Sequence, residues 1–168
     1  MAREPSVTPI WEEVGFKDEN LSKKHLITRT DKEGMITFVS KLFSDMSGYL
    51  KNELLNIPHN IVRHPFMPES AFMDLWESIL WGGEWRGLIM NLRKDRRYFW
   101  VDTKINPIDK NGDLTNNPEK IAGFGGVMSK PSRIDVKTIK KIYKSIRKSD
   151  LLDKKELKPW EKELLERL

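Results

Sequence analysis

The sequence predicts an α+β domain, an antiparallel sheet of about five strands with helices on one face. Three observations predict it. Two short alternating runs flank "DKEG" in "LITRTDKEGMITFVS", a hairpin signal with Gly34 supplying positive φ. Further on, "MPESAFMDLWESILWGG" repeats Phe72, Leu75, Trp76 and Ile79 at helical spacing until Gly82 and Gly83 stop it. Three runs of strand character follow: "WRGLIMNLRK", "RYFWVDTKINPI" and "KIAGFGGVMSK".

The remaining elements fall around these. Residues 1–24 read as an extended N-terminal arm or cap with a short helix in "EEVGFKDENLSKKHL", and Trp11, Val14 and Phe16 are its docking side chains. "KLFSDMSGYLKNELL" reads as short helices broken at Gly48. In the first of the three later strands Trp85, Gly87, Ile89 and Asn91 share one face, and Leu88, Met90 and Leu92 share the other. "DKNGDLTNNPEK" is a long polar hairpin loop, expected to be mobile. Because the central strands are apolar on both faces, the outer face needs cover from the arm, the C-terminal segment or a second subunit. Residues 25–130 thus form the domain, and 131–168 a helical extension in which Ile139, Ile142, Tyr143 and Ile146 make the apolar stripe. A last short helix starts at Pro159.

Composition removes several function classes. The chain of 168 residues has no cysteine, which excludes disulfides, thiolate metal sites, iron–sulfur clusters and Cys nucleophiles. The net charge of +5, from 30 basic and 25 acidic residues, gathers after Gly126 and is a weak argument for nucleic acid. No apolar run approaches the roughly 18 residues that span a bilayer, and no signal peptide is visible, so a cytoplasmic protein is expected. His25, His59 and His64 are too scattered for a metal site. No nucleophile elbow, phosphate loop or dinucleotide fingerprint is present, and the expectation is that the protein is not an enzyme.

Two constellations carry binding chemistry. In "NIVRHPFMPESAF", Arg63 offers a planar fork of donors and His64 can donate or accept, while Pro65 and Pro68 stiffen the backbone. Trp85 and Asn91 put an indole and an amide on one strand face, a pair suited to a planar heterocycle. On residue types alone each also reads plainly as structure: a capped loop before a helix, and a core Trp with an Asn near a strand end.

The runs "SGYLKNELLNIPHNIVRHPFMPESAF", "GGEWRGLIMNLRK" and "YFWVDTKINPI" resemble the PAS domain of bacterial aerotaxis and energy-taxis transducers, with "PHNIVRHP" as the most specific stretch. The resemblance covers about residues 25–130 and implies a PAS fold that binds FAD noncovalently. It further implies a redox or oxygen sensor that signals by contact to a methyl-accepting chemotaxis-type transducer. The short chain is similar to the split type of that family, implying a homodimer that meets the membrane only through its partner and binds no nucleic acid. The alternative is a PAS interaction module with no flavin, or with haem or a small metabolite.

By position, Arg63 and His64 match the family's flavin-binding pair, Phe72 its helix aromatic, Trp85 the Trp near the isoalloxazine and Asn91 the amide at the flavin's polar edge. Arg63 would serve either the reduced ring or the pyrophosphate. Two positions depart: Phe66 stands where the family has Asp, and Ser40 where Asn is common. The resemblance places both in the flavin site, with Phe66 covering the pocket by an apolar surface in place of the carboxylate. Without cysteine, the flavin adduct of light-sensing PAS domains is excluded.

Overall fold

Asp31 closes the first hairpin. Its Oδ1 accepts from the N–H groups of Glu33 (3.0 Å) and Met35 (2.9 Å), and Gly34 takes φ +83°, a value L side chains avoid. The computed structural model describes residues 8–16 and 24–168. Part of the arm, and residues 17–23 of the segment read as its short helix, therefore lie outside the described residues.

Five strands form one sheet: β1 (Leu26–Asp31), β2 (Ile36–Val39), β3 (Trp85–Leu92), β4 (Tyr98–Ile108) and β5 (Gly123–Ser129). Their order is β2-β1-β5-β4-β3, with every neighbouring pair antiparallel. Between β2 and β3 the chain forms α1 (Lys41–Ser47), α2 (Lys51–Leu54), a 3-10 turn at His59–Val62 and α3 (Glu69–Leu80). The α+β architecture predicted from sequence is the one observed. The loop after β4 closes on itself, with Asp109 Oδ1 accepting from Asn111 and Asp113, and a 3-10 turn follows at Pro118–Lys120.

Two of the three cover elements named from the sequence, the arm and the C-terminal segment, reach the outer face of the sheet. The arm runs beside the start of β4, where Val14 N–H donates to the Tyr98 carbonyl at 2.7 Å and Tyr98 N–H donates to Glu12 at 3.1 Å. Trp11 packs edge-on against Tyr98 and Phe66. The C-terminal extension folds as α4 (Arg133–Leu152) and α5 (Pro159–Arg167). In α4 Tyr143 stacks on Trp100 and donates its hydroxyl to the Leu88 carbonyl at 2.8 Å. The apolar stripe of α4 keeps three of the four positions read from sequence, Tyr143 buried with Ile139 and Ile146 half-buried. Its buried positions are Val136, Tyr143, Arg147 and Leu151, whereas Ile142 is exposed. The helix turns toward the sheet through Tyr143, and that rotates Ile142 into solvent.

Candidate functional site

A cavity of about 980 Å³ lies between the helices and the inner face of the sheet. Its size is at the upper end of the roughly 300–1,000 Å³ typical of small-molecule sites. The sheet wall comprises Thr28 and Thr30 of β1, Ile89 and Asn91 of β3, Thr103 and Ile105 of β4, and Phe124, Gly126 and Met128 of β5. The helical wall comprises Pro58, His59, Val62 and Arg63 with Phe72, Leu75, Trp76 and Ile79 of α3. The period-2 alternation of β3 explains Ile89 and Asn91, and the helical spacing of α3 explains Phe72, Trp76 and Ile79. The body is apolar with a few placed polar groups, the usual chemistry of a cofactor pocket.

Three of the seven residues singled out from the sequence meet in this cavity: Arg63, Phe72 and Asn91. Arg63 and Asn91 are neighbours through the backbone, which forms an isolated antiparallel bridge at the edge of β3. The Arg63 guanidinium lies over the Phe72 ring, 4.2 Å from its centroid. Burial presses this guanidinium down from its ordinary value; Glu69 works against that, and the charge of Arg147 adds to it. It remains a cation at neutral pH.

The other four residues do not line the cavity. His64 is fully buried behind it, its Nδ1 accepting the Phe66 N–H at 3.0 Å and its ring set edge-on to Trp11 and Tyr98. That bond fixes the neutral tautomer with the proton on Nε2, an atom buried without a partner among the described residues. Phe66 does not line the cavity, contrary to the expectation from sequence that it covers the pocket. It is 2% exposed and packs against Trp11 and Trp100 at the edge of β3. Trp85 donates Nε1–H to Asp74 Oδ2 at 2.8 Å and lays its ring over Gly87, where a Cβ would come within 2.6 Å of Trp85 Cη2. Its indole is therefore held in the contact between β3 and α3. Ser40 caps α1, its Oγ accepting from Phe43 N–H (3.3 Å) and Ile27 N–H (3.0 Å).

Sequence reasoning missed other cavity groups. His59 sits opposite Thr28, with Nε2 and Oγ1 3.1 Å apart, and burial pushes its pKa down. The Thr103 hydroxyl is buried without a partner among the described residues, although it borders the cavity. Inward-facing threonines at alternate strand positions were the signal for Thr28 and Thr103. Arg147 of α4 and Lys154 of the connection to α5 also border the cavity. The signal for Arg147 was a charge four residues after Tyr143 and four before Leu151, on an otherwise apolar stripe.

The residues present fit a planar, polar-edged cofactor such as a flavin. Asn91 brings both a donor and an acceptor, and the buried Thr103 hydroxyl requires a hydrogen bond that the described protein groups do not supply. Among the described residues no group of three or more His, Asp or Glu side chains could hold a metal ion, and no helix is long and apolar enough to cross a membrane.

Comparison with known proteins gives the same picture. A family model described as the PAS fold matches residues 36–117. The chain is 32% identical over 121 residues to the aerotaxis receptor of Escherichia coli, an alignment covering 72% of this chain and 22% of the receptor. It is 28% identical over 82 residues to the nitrogen fixation regulatory protein of Klebsiella pneumoniae, covering 49% of this chain and 17% of that protein. The chain thus spans about a fifth of the length of these relatives. Among solved structures, a light-oxygen-voltage domain studied with a flavin analogue superposes with a TM-score of 0.58 at 20% identity, over 74% of this chain and 90% of that one. The light-state aureochrome photoreceptor domain gives 0.57 at 20% identity, over 76% and 95%. At that identity the likeness speaks for the fold.

Proposed function

The chain belongs to the PAS family, and from that premise we propose that it is a flavin-binding redox sensor whose ligand is FAD. The observation that carries this reading is the cavity. Its apolar body has on the sheet wall Asn91 and a Thr103 hydroxyl with no partner among the described residues, and Arg63 seated on Phe72 at the other side. A bound flavin supplies reversible uptake of electrons and a proton at its ring. The role of the protein is to hold the ring, exclude water from it and respond at its polar edge. Asn91 can exchange donor for acceptor by turning its amide, because the side chain carries both. Its backbone bridge to Arg63 passes any shift of β3 into the segment that leads to Pro65. The Pro65 carbonyl in turn accepts from Arg147 of α4 at 3.0 Å.

In this reading the two redox states favour two positions of the C-terminal helices, and a partner senses the difference. The chain acts by contact and not by catalysis. The relative that is an aerotaxis receptor supports a chemotaxis-type transducer as the partner, met in the cytoplasm by a homodimer. With no cysteine in the sequence, the thiol adduct of light-sensing PAS domains has no nucleophile here.

Titration of the protein with FAD, followed by quenching of flavin fluorescence, tests the reading. Saturable 1:1 binding is expected. Arg63→Ala should weaken it about 10- to 100-fold, as removal of a charge-assisted hydrogen bond worth roughly 1.5–3 kcal/mol implies. Unchanged affinity in that variant would remove Arg63 from the site.

A further inference from the structure

The C-terminal helix α4 carries a guanidinium into the site. Of its four buried positions three are apolar and the fourth is Arg147, only 4% exposed. Burying a charge of this kind is unfavourable unless its donors are used. Nε is used, in the bond to the Pro65 carbonyl at 3.0 Å. Nη1 is buried with no partner among the described residues, and the residue lines the cavity.

The surrounding charges sharpen the point. Arg63 borders the same cavity and feels the charge of Arg147 as a repulsion. Three carboxylates act on Arg147: Asp150, Glu69 and Glu161. Glu161 already accepts from Lys154 Nζ (2.5 Å) through one oxygen and from Lys158 N–H (2.9 Å) through the other. Glu69 is exposed at the start of α3. Asp150 stands one turn further along α4, but its buried Oδ2 and Arg147 Nη1 make no hydrogen bond to each other, and each is without a partner among the described residues. Two guanidiniums therefore border one cavity with a donor left over, an arrangement that suits an anion with several acceptor oxygens.

We propose that Arg147 and Arg63 together bind a phosphate group of the cavity ligand, so that α4 is part of the binding site and not merely a cover for the sheet. The ligand class is a phosphorylated flavin nucleotide, and this inference rests on the flavin reading above. It has a consequence for signalling. Phosphate engagement holds α4 against the Pro65 segment, and loss of the ligand leaves two like charges facing each other there.

The test compares riboflavin, FMN and FAD on the wild-type protein, Arg147→Met and Arg147→Lys. The wild type is expected to bind a phosphorylated flavin more tightly than riboflavin. Arg147→Met should weaken that phosphorylated flavin about 10- to 100-fold, the loss of one charge-assisted contact, and leave riboflavin within about twofold. Arg147→Lys should restore part of the difference, because it keeps the charge and loses the fork. Equal losses for all three flavins would make Arg147 a strut alone and overturn the proposal, as would no loss at all. Should Arg147→Met fail to fold, salt dependence of the wild type decides. The ratio of phosphorylated-flavin to riboflavin affinity must fall as salt rises, and a constant ratio overturns the proposal. A wild-type protein that binds all three flavins equally defeats this inference but leaves the flavin reading intact. One that binds none defeats both.

Discussion

Phe66→Asp is expected to unfold most of the protein instead of improving ligand retention. The family's Asp at this position makes the substitution look like a restoration. In this chain the side chain is 2% exposed and wedged between Trp11 and Trp100, with ring centroids 6.2 and 6.4 Å away. Removing a buried Phe side chain costs about 3–5 kcal/mol, and a carboxylate left there adds the cost of an unpaired buried charge. Domains of this size have roughly 5–15 kcal/mol in total. Urea unfolding at neutral pH should show the midpoint collapse for Phe66→Asp and a much smaller shift for Phe66→Leu. A Phe66→Asp variant with wild-type stability and tighter FAD binding would return this position to the ligand site.

The second large effect is loss of stability in mild acid through His64. Burial pushes its pKa down from the ordinary value to about 3. Protonation in the fold would require Nδ1, the atom that accepts the Phe66 N–H. In the unfolded chain the ring titrates near 6.5, so the unfolded state takes up the proton first. The stabilising contribution is complete above about pH 6.5 and is lost progressively as pH falls toward 3. At about 1.4 kcal/mol per pH unit, this one group removes on the order of 5 kcal/mol across that window. Burial pushes the His59 pKa down as well, and the loss has the same sign. Against partial burial, Arg97 and Arg93 hold the Asp95 carboxyl well below the usual range, so its contribution is lost only below about pH 4. Chemical unfolding at pH 7 and pH 4.5 should therefore differ markedly for the wild type and much less for His64→Gln. Equal midpoints for the wild type at the two pH values would contradict a buried neutral His64.

These two residues show where a linear motif stops being informative. "VRHPF" reads as one binding cluster, yet its side chains separate around the edge of β3. Arg63 bridges Asn91 and lines the cavity, whereas His64 and Phe66 pack with Trp11 and the outer-face aromatics Tyr98 and Trp100. Which side each side chain takes is set by the edge strand, and that edge exists only after long-range pairing. Local chemistry was more legible. Asp31 and Gly34 closed the hairpin where turn propensity placed it, and the apolar spacing of Phe72, Trp76 and Ile79 marked the cavity-facing side of α3. In α4 the amphipathic pattern was read with one exposed isoleucine, Ile142, included and with Arg147 left out. The isoleucines drew attention from Arg147, and the rotation of the helix is fixed by Tyr143 stacked on Trp100 together with Arg147 on the Pro65 carbonyl. Trp85 and Ser40 had structural partners, Asp74 and the N–H groups of Ile27 and Phe43, that spacing alone could not reveal.

The central claim is that the cavity between the helices and the sheet holds a flavin. The absorption spectrum of the freshly purified protein, recorded as isolated and again after chemical reduction, tests it most directly. A flavin in the cavity gives two bands, in the near-ultraviolet and the blue, that bleach on reduction and return in air, and that grow if FAD is added before desalting. A spectrum with no flavin bands, unchanged after incubation with excess FAD, would contradict it; a Soret band would assign the cavity to haem.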